Sequence, residues 1–175
     1  MNDYLDEEEQ IMDEQDCSDK SICAEIFHFP ISRLNPNRCV TIEDTADLNA
    51  VITLMKTQKS SSVVITKNKK VTGIFTEKDL LLKVIGIVDD FNSAMIGDFM
   101  TPEPTCLFME DMIAYALHNM HFGDYRHVPI LNSNHEPIAV VSIRDVNNFL
   151  MEYFPEEIDN LMDEPFRGVR IREGA

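Results

Sequence analysis

The sequence predicts an α/β (α+β) protein made of two copies of one β-α-β-β-α unit, packed through their sheets around a pseudo-twofold axis. Three observations predict it. The stretch Gly73-Ile74-Phe75-Thr76-Glu77-Lys78-Asp79-Leu80 is written again as Ala139-Val140-Val141-Ser142-Ile143-Arg144-Asp145-Val146. In both, an apolar run of strand character ends on a hydroxyl residue, and the segment after the acid has helix character. Adding 65 to the numbering carries Leu48 to Ile113, Val51 to Ala116, Ile52 to Leu117, Met55 to Met120, Val63 to Val128 and Ile65 to Ile130. Beyond the turn Asn132-Ser133-Asn134-His135-Glu136 the offset becomes 66, so that Gly73 meets Ala139 and Asp79 meets Asp145. Self-similarity at this period marks two copies of one supersecondary unit.

Taken in order, residues 1–24 are acidic and poor in aromatics, the composition of a disordered, solvating tail. Phe27-His28-Phe29-Pro30 is apolar enough to dock on the body, and Pro36 breaks the chain before the first strand. Repeat 1 spans 31–88. Val40-Thr41-Ile42 is a short strand, and Asp44 or Thr45 caps a helix running to about Gln58. Leu48, Val51, Ile52 and Met55 fall at i, i+3, i+4 and i+7, a buried stripe. Val63–Thr66 and Val71–Phe75 form a strand pair across Lys67-Asn68-Lys69-Lys70. A helix from Glu77 carries Leu80, Leu81, Val84 and Ile85. After the connector Asp89–Pro104, repeat 2 (96–153) has a strand at Thr105–Leu107, a helix at Asp111–Met120, strands at Val128–Leu131 and Ile138–Val141, and a helix from Arg144 to Tyr153. Pro155 stops that helix, and residues 154–175 are a charged tail.

Composition narrows the function. With 44% apolar residues the chain can build a core, but each half alone is small and marginal, so the two must pack together. Of the net charge of −16, residues 1–20 supply −8 (nine acids against one lysine) and residues 152–175 supply −4 (seven acids against three arginines). The body between has no dominant basic face, which argues against nucleic acid and anionic membrane as partners. Cys17, Cys23, Cys39 and Cys106 lack any C-x-x-C or zinc spacing and read as reduced cytosolic thiols. The N-terminus is not a signal peptide and no apolar run approaches a membrane span, so a cytoplasmic protein is expected.

An isolated Thr/Ser-x-x-Asp is a capping box, which only satisfies amides at a helix start. Two facts point further: Asp is a shorter arm than the usual Glu or Gln, and the motif recurs inside a longer repeat. Other constellations are weaker. His118-x-x-His121 with Asp124 lacks a third fixed metal ligand. No nucleophilic triad, activated cysteine or Gly-rich phosphate loop is present.

The duplicated Gly73–Leu80 motif, the connector Ile96-Gly97-Asp98-Phe99-Met100-Thr101-Pro102 and Arg126-His127-Val128-Pro129-Ile130 together resemble the tandem CBS-domain family, the paired arrangement called a Bateman module. The resemblance covers about residues 31–152. It implies a non-enzymatic regulatory module that senses adenosine-containing ligands in a cleft between the repeats and often dimerises into a flat disc. It also implies an Asp on the ribose, and Asp79 and Asp145 match that position. Chemistry agrees: a carboxylate repels phosphates and accepts from the 2′ and 3′ hydroxyls, while Thr76 and Ser142 can donate beside free helix amides.

The site residues expected on these grounds are Thr76, Lys78, Asp79, Arg126, His127, Ser142, Arg144 and Asp145, with the adenine near Thr41 or Cys106. No metal and no cofactor beyond a regulatory adenine nucleotide (AMP, ADP or ATP) is expected. The alternatives are a ligand-free dimeric scaffold that recruits another protein, and a sensor of another adenosyl ligand such as S-adenosylmethionine. The band Leu80, Leu81, Leu82, Val84 and Ile85 is too wide for two small repeats to cover, which predicts a homodimer. Arg126-His127 of repeat 2 stands where repeat 1 has Ser61-Ser62. A cleft of Arg126, His127, Ser142 and Asp145 is therefore expected to bind more tightly than one of Thr76 and Asp79.

Overall fold

A computed structural model describes residues 25–154. The acidic segment 1–24, Cys17, Cys23, Pro155 and the segment after it lie outside the described residues. Repeat 1 consists of β1 (Thr41–Glu43), α1 (Leu48–Gln58), β2 (Ser62–Lys67), β3 (Lys70–Thr76) and a short α2 (Glu77–Asp79) that widens into a π-turn over Leu80–Val84. The strand β4 (Thr101–Pro102) lies in the connector. Repeat 2 consists of β5 (Leu107–Phe108), α3 (Ile113–Gly123), β6 (His127–Leu131), β7 (Pro137–Ser142) and α4 (Ile143–Tyr153).

The repeats share one topology because their patterns match. β1 runs parallel to β2 across α1, as β5 does to β6 across α3, and each repeat closes with an antiparallel hairpin. The β2–β3 turn holds Asn68 and Lys69 at φ 50° and 63°, the two left-handed residues of a type I′ hairpin. Both hairpins carry an irregularity at the same place, between Ile65 and Thr66 and between Ile130 and Leu131. Beyond it Thr66 pairs with Val71, whereas Leu131 pairs with Pro137. The second hairpin thus encloses one more residue, the physical origin of the change in offset.

Several boundaries differ from expectation. α1 starts at Leu48, capped by Asp47, whose Oδ1 accepts from the Ala50 amide at 2.7 Å. Asp44 and Thr45 are not the cap, because the Asp44 amide donates to the Thr66 carbonyl (2.8 Å) and Ala46 N–H to Glu43 O (3.0 Å), finishing a strand and a turn. Asp111 likewise precedes α3, its carboxylate accepting from Phe108 N–H at 2.7 Å. The helix expected from Glu77 through Ile85 is three residues of α-helix continued by a π-turn to Val84, which the Ile85 amide closes on the Leu80 carbonyl at 3.1 Å. No helix among the described residues is long and apolar enough to cross a membrane.

The two cores are exchanged at their edges. Ile31 and Leu34, at the start of repeat 1 ahead of β1, pack with Ile113, Ala116, Val128, Ile130, Val141 and Val146 of repeat 2. Ile96, the first residue of repeat 2, packs with Leu48, Val51, Val63, Ile65, Phe75 and Val84 of repeat 1. The backbone follows the same exchange: Pro30 bridges Met112 and Met95 bridges Asp47, positions related by the offset of 65. β4 adds to β3 with Gly73 opposite Pro102, and Arg38 bridges Ala139 on the other side. A Cβ at Gly73 would meet the Met100 sulfur, so the bare glycine lets that side chain lie across β3. Each leader belongs to one repeat by sequence and to the other by packing.

Candidate functional site

Both Thr/Ser-x-x-Asp motifs fall where an antiparallel strand turns into a helix, and both form a capping box. At the first, Asp79 Oδ2 accepts from the Thr76 amide (3.0 Å) and hydroxyl (2.7 Å), while Thr76 Oγ1 accepts from Asp79 N–H at 3.3 Å. At the second, Asp145 Oδ2 accepts from the Ser142 amide and hydroxyl, each at 2.7 Å, and Asp145 N–H donates back at 3.3 Å. The Asp arm is therefore long enough, and the local role is real in both copies. It uses only one oxygen of each carboxylate, so capping leaves the other oxygen for a second task.

Between the repeats lies a cavity of about 800 Å³. Its wall takes Thr76, Lys78 and Asp79 from repeat 1 and Arg126 and His127 from repeat 2. Ile74, Leu81, Leu82, Pro102 and Tyr125 supply apolar surface. Ser142, Arg144 and Asp145 are not in this wall, nor are Thr41 and Cys106, although Thr105 beside Cys106 is. The grouping expected from the sequence is thereby rearranged. The basic pair of repeat 2 stands in the cleft of Thr76 and Asp79, not with Ser142 and Asp145 alone. The reason is the pseudo-twofold packing, which sets the N-terminal end of β6 against the repeat 1 junction: His127 Nε2 lies 2.9 Å from Ser61 Oγ, and Lys78 Nζ reaches Asp124 Oδ2 at 2.8 Å. His127 also pairs with Ser142 in the β6–β7 ladder, so it sits between both motifs.

The charges of the wall are mostly paired with one another. Asp79 is buried, and its second oxygen, Oδ1, takes Lys83 Nζ at 2.7 Å and Thr101 Oγ1 at 3.2 Å. Burial pushes its pKa up, but the hydrogen bonds from Lys83 and Thr76 and the Lys83 charge outweigh this and hold it below the usual carboxylate value. Lys78 is paired with the exposed Asp124, whose pKa it lowers. Arg126 is exposed and makes no ion pair among the described residues. Burial pushes His127 down, Glu77 and Asp145 pull it up, and Arg126 and Arg144 lower it further, leaving a neutral imidazole favoured. Three cations of the wall (Lys78, Lys83, Arg126) thus face four carboxylates (Glu77, Asp79, Glu103, Asp124). Burial raises the Cys106 thiol to about 11 and also raises Cys39, so both remain protonated. No cluster of three metal-ligating side chains exists among the described residues.

Sequence reasoning missed Lys83, Thr101 and Ser61. The first was legible as an acid and a base at i and i+4. Ser61 was legible as the residue that the offset of 65 places opposite Arg126.

Comparison with known proteins agrees with the fold. The CBS domain profile matches residues 31–89 and 96–152. The CBS domain-containing protein CBSCBSPB3 of Arabidopsis thaliana is 32% identical over 94 residues, 54% of this chain and 17% of that protein. The chain thus spans about a fifth of the length of the plant relatives it matches. Among solved structures, the CBS domain protein PAE2072 from Pyrobaculum aerophilum complexed with AMP has a TM-score of 0.63 at 25% identity, covering 71% of this chain and 97% of that one. CBSX2 in complex with AMP shares the fold, with a TM-score of 0.62 at 14% identity over 71% of this chain and 97% of that one. Duplicated strand-to-helix motifs, exchanged leaders and a cleft between the copies therefore have one explanation: the chain belongs to the CBS-domain family and carries two CBS domains in tandem.

Proposed function

We propose that this chain is a cytoplasmic regulatory module that binds an adenine nucleotide in the cavity between its two CBS domains and passes the ligand state to a protein target. It acts by binding and not by catalysis. The observation that carries the reading is the cavity wall, which joins the Thr76/Asp79 junction of one domain to Arg126 and His127 of the other. Arg126 can fork two phosphate oxygens with charge-assisted bonds. Ile74, Leu81, Leu82, Pro102 and Tyr125 offer the apolar faces an adenine ring needs. Arg126 is the one cation of the wall without an ion pair among the described residues. That supports a ligand with a single phosphate, AMP, over ADP and ATP. Two relatives in the fold were solved with AMP, which supports the same class of ligand.

A second reading, a dimeric scaffold that works without ligand, is favoured by the internal pairing of Asp79 with Lys83 and of Lys78 with Asp124. A thermal-melting panel of AMP, ADP, ATP and S-adenosylmethionine separates them. A ligand at a hundred times its dissociation constant stabilises the native state by about 2.7 kcal/mol, a rise of several degrees for a domain of this size. AMP is expected to raise the melting temperature most. A panel with no shift at millimolar concentration leaves the scaffold reading in its place.

A further inference from the structure

The two motifs are alike in sequence, but their carboxylates end in different states. Asp145 Oδ2 is occupied by the Ser142 cap, and Oδ1 has no hydrogen-bond partner among the described residues. Asp79 Oδ2 is occupied by the Thr76 cap in the same way, and Oδ1 is held by Lys83 Nζ (2.7 Å) and Thr101 Oγ1 (3.2 Å). A carboxylate offers about four lone-pair positions, and Asp79 has all of them engaged. The offset of 66 places Phe149 where Lys83 stands. A phenylalanine side chain cannot donate a hydrogen bond, so the loss of the charged partner at Asp145 is built into the sequence.

Lys83 also ties separate elements together. Beside Asp79 it donates to the Phe99 carbonyl at 3.0 Å and to Thr101 Oγ1 at 3.3 Å, both in the connector that carries β4. It therefore pins the connector to the junction of α2 from inside the cavity wall.

We infer that Lys83 is a specificity-determining residue of the cavity: it occupies the edge of Asp79 on which a vicinal diol would be read, so this cavity does not distinguish a ribosyl from a deoxyribosyl ligand. The inference rests on the nucleotide reading above and refines it. Displacement of Lys83 by two sugar hydroxyls is unfavourable, because charge-assisted bonds are roughly twice as strong as neutral ones. It would also take the paired cation away from a largely buried carboxylate.

The test is a titration of the full chain with AMP and with 2′,3′-dideoxyadenosine 5′-monophosphate, read at the backbone amides of Thr76 and Lys78 by NMR. These amides report this cavity separately from the Ser142 junction. In the wild type the two dissociation constants should agree within about twofold. In Lys83→Met, which removes the charged partner and leaves Asp79 Oδ1 with the neutral Thr101 hydroxyl alone, AMP should bind on the order of tenfold or more tightly than the dideoxy compound, as expected for hydrogen bonds to a charged group. Lys83→Arg keeps the donor and should behave as the wild type. The ratio of the two ligands cancels any loss of phosphate attraction from removing the cation. A tenfold preference for AMP already in the wild type, or none in Lys83→Met, overturns the inference while leaving nucleotide binding intact. If neither compound moves these amides in any of the three proteins at millimolar concentration, the nucleotide reading fails and the inference fails with it. In ligand-free protein the Asp79 carboxyl should titrate at higher pH in Lys83→Met than in the wild type, and an unchanged midpoint also overturns it.

Discussion

His127 is the residue on which both halves converge, with Ser61 Oγ at 2.9 Å and Ser142 as its ladder partner. Burial is the largest influence on its imidazole and moves the pKa below 6.5, against the pull of Glu77 and Asp145. A depressed histidine binds fewer protons in the folded chain than in the unfolded one between its folded pKa and 6.5. Stability is therefore complete above that window and falls as pH drops through it. Urea midpoints at pH 7.5 and 5.5 should differ more in the wild type than in His127→Gln. Equal losses would place the pH dependence elsewhere. Asp79 acts in a separate window: its pKa is held below 3.8, so its pairing stabilises above that value and is lost as pH falls below it.

At the scale of elements, the exchanged leaders make a specific expectation about where damage appears. Ile31 and Ile96 are both fully buried, each opening one domain and packed in the core of the other. Truncating a buried isoleucine to alanine costs about 2–5 kcal/mol through lost burial and a residual cavity. Ile31→Ala should speed amide exchange in β6 and β7 before β2 and β3, and Ile96→Ala should do the reverse. Ile31→Ala acting first on β2 and β3 would contradict the exchange. The π-turn has its own consequence, since it ends the regular helix early and directs Lys83 back onto Asp79 and the connector.

At the scale of the whole molecule, an apolar stretch of the described residues is left exposed. Leu81, Leu82, Ile85 and Ile87 are 63%, 61%, 57% and 66% exposed, and all lie in or just after the π-turn. Burying a large aliphatic side chain contributes about 1.5–3 kcal/mol, so four of them on each of two copies can support association. We propose a homodimer through this face. Sedimentation equilibrium should give twice the 20.1 kDa chain for the wild type and a monomer for Ile85→Asp. A wild-type monomer at micromolar concentration would refute it. Leu81 and Leu82 also border the cavity, so association and ligand binding share two side chains.

The sequence by itself determined the order of elements, the duplication and the residues of each junction. These depend on strand alternation, helical stripes and N-caps, which act over a few neighbouring residues. It misplaced the starts of α1 and α3, where Asp44 and Asp111 resemble caps but their turns are closed by contacts to Thr66 and Phe108. It could not show that Arg126 and His127 belong with Asp79, that Ile31 serves the second core, or that Thr101 joins Lys83 at the free edge of Asp79. An offset aligns each residue with its counterpart in the other copy. Only the pseudo-twofold packing decides which residues of the two copies meet, because contacts between copies depend on how their surfaces fit and not on position within either repeat.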